Sequence, residues 1–567
     1  MRPIFLLALS AALCFSQNRT AEFHALADHY FDAAVFRYDP AQATEAGFHQ
    51  YDSLLPSWSR AETQEQIKTL QQWDATIRNF GSEGLSAWDS SDRDLVLSQI
   101  QGQLLMLESI RMWEKNPDTY SSNVTNAIFV IMSRNFAPAR ERLKSVIARE
   151  KLIPRVFTSA RENLNNPPRI YTQVALEQLP GIVSFFKHDV PQAFHEVSDP
   201  ALLAEFHKHN QAVIDALSSY QTWLKNDLLP RSHGDFRIGA EAYRKKLLYD
   251  EMVDIPLDRL LEIGYQDLRR NQAEFRKVAL QIDPQRTPQQ ILNDLEHDHP
   301  PAANLLQSFR DVLGGLRDFI QTHRIATIPS PVLPIVEETP PFMRALTTAS
   351  MDTPGPYEKV AKEAFFNVTL PDPGWSAHET EEYMEDFNRG TVISTATHEA
   401  YPGHYVQFLW VQSVPTKVRK LIFSSSNAEG WAHYCEQMML DEGYGSGDLK
   451  LRLGQLQDAL LRDARYIVGI QMHTGKMTFD QAKDFFVKEG YQTPPIADKE
   501  ARRGTSDPTY LVYTLGKLEI LKLRADYKAQ KGSHYTLREF HDAFLAQGSP
   551  PLKIVRRALL GNDSPVL

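Results

Sequence analysis

The chain has 567 residues, of which 42% are hydrophobic and 23% are charged, as in ordinary globular proteins. Its 71 acidic residues outnumber its 61 basic residues, which argues against nucleic acid as a partner. Two cysteines, Cys14 and Cys435, are too few for a disulfide framework or a cysteine-rich zinc module. Any bound metal would therefore need histidine and carboxylate ligands.

The N-terminus is typical of an export signal. A short basic start precedes an apolar run over residues 3–15, which is too short to span a bilayer. We predict a signal peptide over residues 1–17, the alternative being an N-terminal helix that packs on the body. Leu13 before Cys14 is too large for a lipoprotein signal. Since no later segment reaches the roughly 18 apolar residues of a membrane helix, we expect an exported protein, periplasmic or secreted, without a transmembrane segment.

Helical patterns dominate the first part of the chain. Amphipathic spacing recurs in three stretches, residues 21–80, 92–115 and 137–151. A further helix is indicated by four apolar residues at helical spacing, Val213, Leu217, Tyr220 and Leu224. Each of these helices should bury one face against the others.

The sequence becomes proline-rich after residue 325 and contains two short β-like runs, residues 333–338 and 364–370. Helix returns near Ser376, and the acidic run at residues 379–386 favours the positive end of that helix. We predict a mainly α fold, with one large helical domain over residues 18–567 and a small sheet. Its parts are a helical part at 18–324, a β-containing insert at 325–374 and a second helical part at 375–567.

The stretch TVISTATHEAYPGH, residues 391–404, is the most informative part of the chain. An uncharged run leads into His398 and Glu399, and a buried charge is costly unless it is paired or bound to a metal. His404 follows His398 by six residues, so an unbroken helix would point the two rings in different directions. The Pro402-Gly403 pair must therefore break the helix if both histidines are to meet one ion.

A third ligand is available 25 residues after the second histidine. Glu429 would complete a His₂Glu set, and catalytic zinc sites use three protein ligands and leave one position to water. Glu399 is then the general base that takes a proton from this water. Gly430 allows close approach of another chain segment, and Trp431 would exclude water. We predict one zinc ion per chain, although other divalent metals also occupy such sites.

Two residues beyond Glu429 fall near the predicted site. His433 lies four positions later and therefore on the same helix face, where it either binds the metal or orients a ligand through a hydrogen bond. We favour the orienting role for His433 and assign Glu436 the same role. Cys435 is predicted to be a small buried residue.

These motifs, H-E-x-x-P-G-H at 398–404 and E-G-W-A-x-Y-x-E at 429–436, resemble those of the bacterial domain-of-unknown-function family 885. The likeness continues in ADHYFDAAVFRYDPAQATEAGFHQYD, DARYIVGIQMHTGKMT and RGTSDPTYLVYTLGK. Tyr405 stands where members often carry a second histidine, and Thr509 and Tyr510 replace a usual Gly-Gln. The resemblance implies an α-helical metallopeptidase-like fold with zinc in a channel and a small sheet beside it, whose edge strand could pair with an extended peptide.

The resemblance also points to residues in the late segments. Tyr513, Tyr510 or His473, in that order, would face the metal and stabilise a developing oxyanion. Arg503 would hold the terminal carboxylate of a peptide, because a guanidinium binds carboxylates through two hydrogen bonds. The alternatives are tyrosines packed in a core and an arginine that is a surface charge.

The predicted function is therefore that of an exported zinc-dependent hydrolase with a gluzincin-type ligand set, acting on short peptides. One alternative is a non-catalytic binding module that keeps the fold, against which the intact Glu399 argues. The other is a metal-dependent hydrolase of a non-peptide amide or ester. The sequence does not indicate an oligomeric state.

Overall fold

The computed structural model of the protein describes residues 18–340, 343–344 and 347–567. The predicted signal peptide and Cys14 lie outside the described residues. The chain forms two compact units. The first, the N-terminal unit, contains the described residues up to Asp235 together with Pro354–Lys362 and Val414–Ile422. The second, the C-terminal unit, contains Phe236–Thr353, Glu363–Ser413 and Phe423–Leu567, so the division expected near residue 324 lies inside it.

The regular secondary structure of the N-terminal unit, among its described residues, is helical. Its helices are α1 (residues 18–30), α2 (Pro40–Ala46), α3 (Arg60–Phe80), α4 (Ala87–Leu104), α5 (Met112–Lys115), α6 (Pro117–Met132), α7 (Ala139–Glu150), α8 (Ile153–Asn163), α9 (Arg169–Ser184), α10 (Val190–Ala193) and α11 (Pro200–Trp223), and its segment from 414 to 422 holds α19 (Lys417–Leu421). As predicted, α11 buries Val213, Leu217 and Tyr220 completely.

Local sequence explains the bounds of α2. The Asp39 carboxylate accepts a hydrogen bond from the backbone N–H of Gln42, and Pro40 occupies the first turn, where no N–H is needed. Gly47 ends the helix at φ +99°, and a Cβ there would lie 2.4 Å from the backbone nitrogen of Glu358. Only glycine satisfies both the positive φ and the close approach.

The segment Pro354–Lys362 is held in the N-terminal unit by His49. The imidazole Nε2 lies 2.9 Å from the Glu358 carboxylate, and Nδ1 lies 3.2 Å from Asp52. The ring stacks on Phe136 with centroids 3.8 Å apart. Burial lowers the pKa of His49, but the two carboxylates outweigh it, so the pKa is raised above its ordinary value.

The C-terminal unit is also mainly helical. Its helices are α12 (Gly239–Glu251), α13 (Leu257–Ile282), α14 (Pro288–Glu296), α15 (Leu305–Thr322), α16 (Ala377–Met384), α17 (Arg389–Glu399), α18 (His404–Val411), α20 (Ser425–Asp441), α21 (Leu449–His473), α22 (Phe479–Lys488), α23 (Pro494–Ser506), α24 (Val512–Lys531), α25 (Leu537–Leu545) and α26 (Leu552–Leu560). In the part of the chain that the structure describes, no helix combines the length and apolar character needed to cross a membrane.

A three-stranded sheet lies in the same unit. Its strands β1 (Ile335–Glu338), β2 (Ala349–Asp352) and β3 (Phe365–Val368) are ordered β1-β3-β2, with β1 parallel and β2 antiparallel to β3. The two predicted β-like runs contain β1 and β3. The strand β2 was not predicted, because its four residues, ASMD, include no β-branched or aromatic side chain. Since β2 packs against α17, the sheet lies beside the helix that carries His398.

Two glycine-to-glycine contacts bring the helices of this unit close together. At the crossing of α20 and α24, a Cβ on Gly430 would lie 2.4 Å from the Cα of Gly516, and one on Gly516 would lie 1.7 Å from the carbonyl oxygen of Ser426. At the crossing of α17 and α21, a Cβ on Gly454 would lie 2.8 Å from the Cα of Gly390. The close approach predicted at Gly430 is confirmed. These contacts fix the distances between the helices that carry the candidate site.

Candidate metal centre

The helix breaks where the sequence requires it to break. Helix α17 ends at Glu399 and α18 begins at His404, so the predicted interruption at Pro402 is confirmed. The Gly403 N–H donates to the carbonyl oxygen of Thr397 over 3.0 Å, and a Cβ on Gly403 would lie 1.7 Å from the carbonyl oxygen of His398. The chain thus folds back onto the last turn of α17, with the His398 and His404 ring centroids 4.8 Å apart.

Glu429 completes a cluster of three candidate ligands. One ligand atom from each of His398, His404 and Glu429 lies within 4.8 Å of the other two. Oε2 of Glu429 is 3.3 Å from Nε2 of His398 and 3.4 Å from Nε2 of His404. Two ligands that each lie about 2.05 Å from a tetrahedral ion are about 3.35 Å apart. The carboxylate oxygen is therefore spaced from both imidazoles as zinc ligands are.

The electrostatics of the cluster also suit a cation. Oε2 of Glu429 is buried and has no hydrogen-bond partner among the described residues, an arrangement that is costly unless something else binds it. Burial raises the pKa of Glu429, but the two imidazoles outweigh it and hold the pKa well below its usual range. The carboxylate is therefore charged. The donor set of two imidazoles and one carboxylate fits zinc.

Glu436 orients the first ligand. Its Oε1 accepts a hydrogen bond from Nδ1 of His398 over 2.7 Å, which leaves Nε2 of that ring directed at Glu429. Arg462 lies 2.9 Å from the same oxygen, and its side chain is only 11% exposed, while that of Glu436 is fully buried. Burial raises the pKa of Glu436, but the charge of Arg462 and the hydrogen bond with His398 outweigh it and hold the pKa below its usual range. The carboxylate–histidine pair fixes the imidazole tautomer, as partners of metal ligands commonly do.

Arg462 was missed from the sequence. It lies on α21 in the stretch DALLRDARY, where a helical arginine is expected to face solvent. No signal in the sequence separates it from the other charged residues of this stretch, Asp458, Asp463 and Arg465. A buried acid is one of the few partners that can bring an arginine inside.

His433 contacts Glu436 and not the three candidate ligands. Its Nδ1 lies 3.0 Å from Oε2 of Glu436, and the ring is completely buried. Burial and the nearby cations of Lys517 and Arg462 lower the pKa of His433 to about 3, so the imidazole is neutral. This position fits the orienting role, because His433 reaches the cluster only through Glu436.

Trp431 holds the loop between the two histidines. Its indole Nε1–H donates to the carbonyl oxygen of Pro402 over 2.9 Å, and the side chain is fully buried. The tryptophan predicted to exclude water therefore also fixes the chain reversal that brings His404 into place. Cys435 on the same helix is completely buried, as predicted.

Glu399 and Tyr513 both lie next to His398, the first along the chain and the second in space. Glu399 is half-buried at the end of α17 and makes no hydrogen bond or ion pair with any described residue. The Tyr513 ring lies nearly parallel to that of His398, with centroids 6.2 Å apart. Burial and the charge of Glu429 raise the pKa of Tyr513. Its hydroxyl oxygen accepts a hydrogen bond from Nη2 of Arg503 over 3.1 Å.

Tyr510 and His473 have a different environment. Tyr510 is fully buried in a hydrophobic cluster with Met472, where its ring fits against Gly469 and Gly504. Nε2 of His473 lies 2.7 Å from the carbonyl oxygen of Gly504, and the ring packs edge-on against Phe236. Both side chains serve packing between helices, so we do not assign either of them a role at the metal.

Comparison with known proteins places the chain in a family. A protein from Shewanella oneidensis, described as a "putative lipoprotein of unknown function", is 27% identical, with a TM-score of 0.78 over 95% of this chain and 99% of its own. A "putative lipoprotein" from Colwellia psychrerythraea is 17% identical and shares the fold, with a TM-score of 0.81 over 96% and 99%. No curated protein matches the chain. The family profile described as "Bacterial protein of unknown function (DUF885)" matches residues 40–559, and the chain belongs to this family.

Proposed function

We propose that the protein is an exported zinc-dependent hydrolase that cleaves short peptides with a metal-activated water. His398, His404 and Glu429 hold the zinc and leave one position to water. The observation that carries the proposal is the position of the buried Oε2 of Glu429, which makes no hydrogen bond with a described residue and lies 3.3 and 3.4 Å from the two imidazole Nε2 atoms. A structural carboxylate at this depth would be expected to accept ordinary hydrogen bonds.

The side chains around the cluster divide the chemistry among them. A bound zinc would lower the pKa of its water to about 7 and polarise the scissile carbonyl. Glu399 accepts the proton of the water as general base and passes it to the leaving amine. Tyr513 accepts a hydrogen bond from Arg503 through its oxygen, so its own proton is free to be donated to the carbonyl oxygen as negative charge develops there.

Two further observations support export and a peptide substrate. The similar proteins from Shewanella and Colwellia are both described as lipoproteins, a class of exported proteins. The half-exposed edge strand β2 packs against α17, beside the cluster. An edge strand can pair with an extended peptide through backbone hydrogen bonds.

The test measures metal content and peptide hydrolysis on the same purified samples. Wild type and Glu399→Gln should each bind about one zinc ion per chain, but only the wild type should hydrolyse peptides. Glu429→Ala should bind little zinc and show no hydrolysis. Glu442→Ala is the matched control, because Glu442 directly follows α20 and pairs with Arg524 away from the cluster.

Each contrary outcome has a defined meaning. Equal zinc content in Glu429→Ala and wild type would contradict the ligand set. Zinc binding without hydrolysis of any peptide, amide or ester would favour a non-catalytic binding module. Hydrolysis restricted to non-peptide amides or esters would retain the mechanism and change the substrate class.

A further inference from the structure

Three arginines surround Tyr513, and two of them are neutralised by buried acids. The guanidinium carbons of Arg462, Arg465 and Arg503 lie 5.8, 5.1 and 5.8 Å from the centroid of the tyrosine ring. Arg465 donates to both oxygens of Glu500, over 2.6 and 2.8 Å. Arg462 pairs with the carboxylate that orients His398. Each of these two guanidinium groups is therefore already paired with a buried carboxylate.

Arg503 is bonded differently. Nη2 carries both of its polar side-chain contacts, one with Tyr513 and one with Asp507 at 3.3 Å. Nε and Nη1 make no hydrogen bond with any described residue. The side chain of Arg503 is 37% exposed and that of Asp507 is 42% exposed, so their ion pair is weak. Arg503 therefore has two nitrogen atoms, Nε and Nη1, whose N–H groups can donate to a ligand. They lie beside Tyr513, whose ring is next to that of His398.

The distance from Arg503 to the candidate metal centre limits what it can bind. Its guanidinium carbon is 5.8 Å from the Tyr513 ring centroid, which is 6.2 Å from the His398 ring centroid, so the guanidinium lies within about 12 Å of that imidazole. An extended peptide advances about 3.3–3.6 Å per residue. A carboxylate held by Arg503 therefore lies at most about three residues from a peptide bond at the metal.

We propose that Arg503 binds the terminal carboxylate of the substrate, so that the protein removes one to three residues from the C-terminal end of short peptides. The proposal rests on the hydrolase function proposed above. Only the C-terminal end of a peptide carries a backbone carboxylate, and the planar guanidinium binds it with two charge-assisted hydrogen bonds. An acidic side chain near the scissile bond presents the same group, and the test separates the two sources.

The test uses three matched peptides of three to five residues: one with a free C-terminal carboxylate, one with a C-terminal amide, and one amide with a glutamate after the scissile bond. Wild type, Arg503→Gln and Arg502→Gln are compared by kcat/KM. Arg502 is the matched control, since it is also on α23, is 35% exposed and pairs with an aspartate four residues away. Loss of a charge-assisted pair costs about 10- to 100-fold in kcat/KM.

In the wild type and Arg502→Gln, kcat/KM should be about 10- to 100-fold higher for the free-acid peptide than for the plain amide. Arg503→Gln should lose this preference. A structural role for Arg503, such as holding Tyr513, would lower the hydrolysis of acid and amide equally and would contradict the proposal. A preference restored fully by the glutamate amide would transfer the role to side-chain recognition and also overturn it.

A binding measurement separates this proposal from the hydrolase function. On the Glu399→Gln background, calorimetry should show tighter binding of the free acid than of the amide, and adding Arg503→Gln should remove the difference. Hydrolysis of acid and amide at equal rates, with equal binding, would refute the carboxylate site alone. No hydrolysis of any peptide by the zinc-loaded wild type would refute the hydrolase function and this proposal with it.

Discussion

Replacing Glu436 by glutamine turns one of its two carboxylate oxygens into an NH₂ group, which is a hydrogen-bond donor, at the centre of a buried network. Oε1 lies 2.7 Å from Nδ1 of His398 and 2.9 Å from Nη2 of Arg462, both of which donate when Nε2 of His398 binds a metal. Because both neighbours donate to it, the atom at the Oε1 position must stay an oxygen. The amide nitrogen then takes the other position, 3.0 Å from Nδ1 of His433.

The structure allows the cost of Glu436→Gln to be worked out. The new amide NH₂ and the Nδ1–H of His433 are both donors and cannot bond to each other. His433 must therefore move its proton to Nε2, which has no hydrogen-bond partner among the described residues. An orphaned buried donor costs about 1–3 kcal/mol, and a buried arginine without its carboxylate about 3–5 kcal/mol. Because these costs overlap, we expect the free energy of unfolding to fall by about 3 kcal/mol. Zinc affinity should fall about 10- to 100-fold, as for other partners of metal-bound histidines.

The assay combines chelator competition for the zinc dissociation constant with urea unfolding of the metal-free protein. Glu442→Gln is the control, because it also removes charge from a carboxylate paired with an arginine but lies away from the cluster. It should leave both quantities close to wild type. Unchanged zinc affinity in Glu436→Gln, with stability lowered, would show that Glu436 supports the fold but does not orient His398. No change in either quantity would show that Glu436 neither orients His398 nor stabilises the buried Arg462.

Three further perturbations test other parts of the structure. Gly516→Ala should lower the melting temperature and the zinc affinity, because the crossing of α20 and α24 has no space for a Cβ. Its control, Gly314→Ala, lies in open space within α15 and should raise the free energy of unfolding by about 1 kcal/mol. Trp431→Phe removes the bond to Pro402 and should weaken zinc binding several-fold with the far-ultraviolet circular dichroism unchanged. The raised pKa of His49 stabilises the fold fully below its unfolded pKa of about 6.5, and this stability is lost as pH rises through the folded pKa. Urea unfolding should therefore show that His49→Gln costs more at pH 6 than at pH 9, and an equal cost at both would contradict this.

The local features of the candidate site could be predicted from the sequence because each has a local physical cause. Proline and glycine at 402 and 403 cannot continue a helix, and the structure ends α17 just before them. His398, His404 and Glu429 were selected by residue type and spacing, and the structure brings them together. The small sheet was indicated by two β-like runs, although β2 was not.

The partners of these residues depend on helices that are distant in sequence. Arg462 comes from α21 and Tyr513 from α24, and both reach the candidate site because glycine contacts allow these helices to approach α17 and α20 closely. The same packing directs Tyr510 and His473 into the interior, against the roles that their motif suggested. Helical periodicity shows that a residue lies on a buried face, but not which neighbour it meets there. The candidate ligands and the break between them can therefore be read from the sequence, whereas the orienting network and the arginine left free beside Tyr513 follow only from how the helices pack.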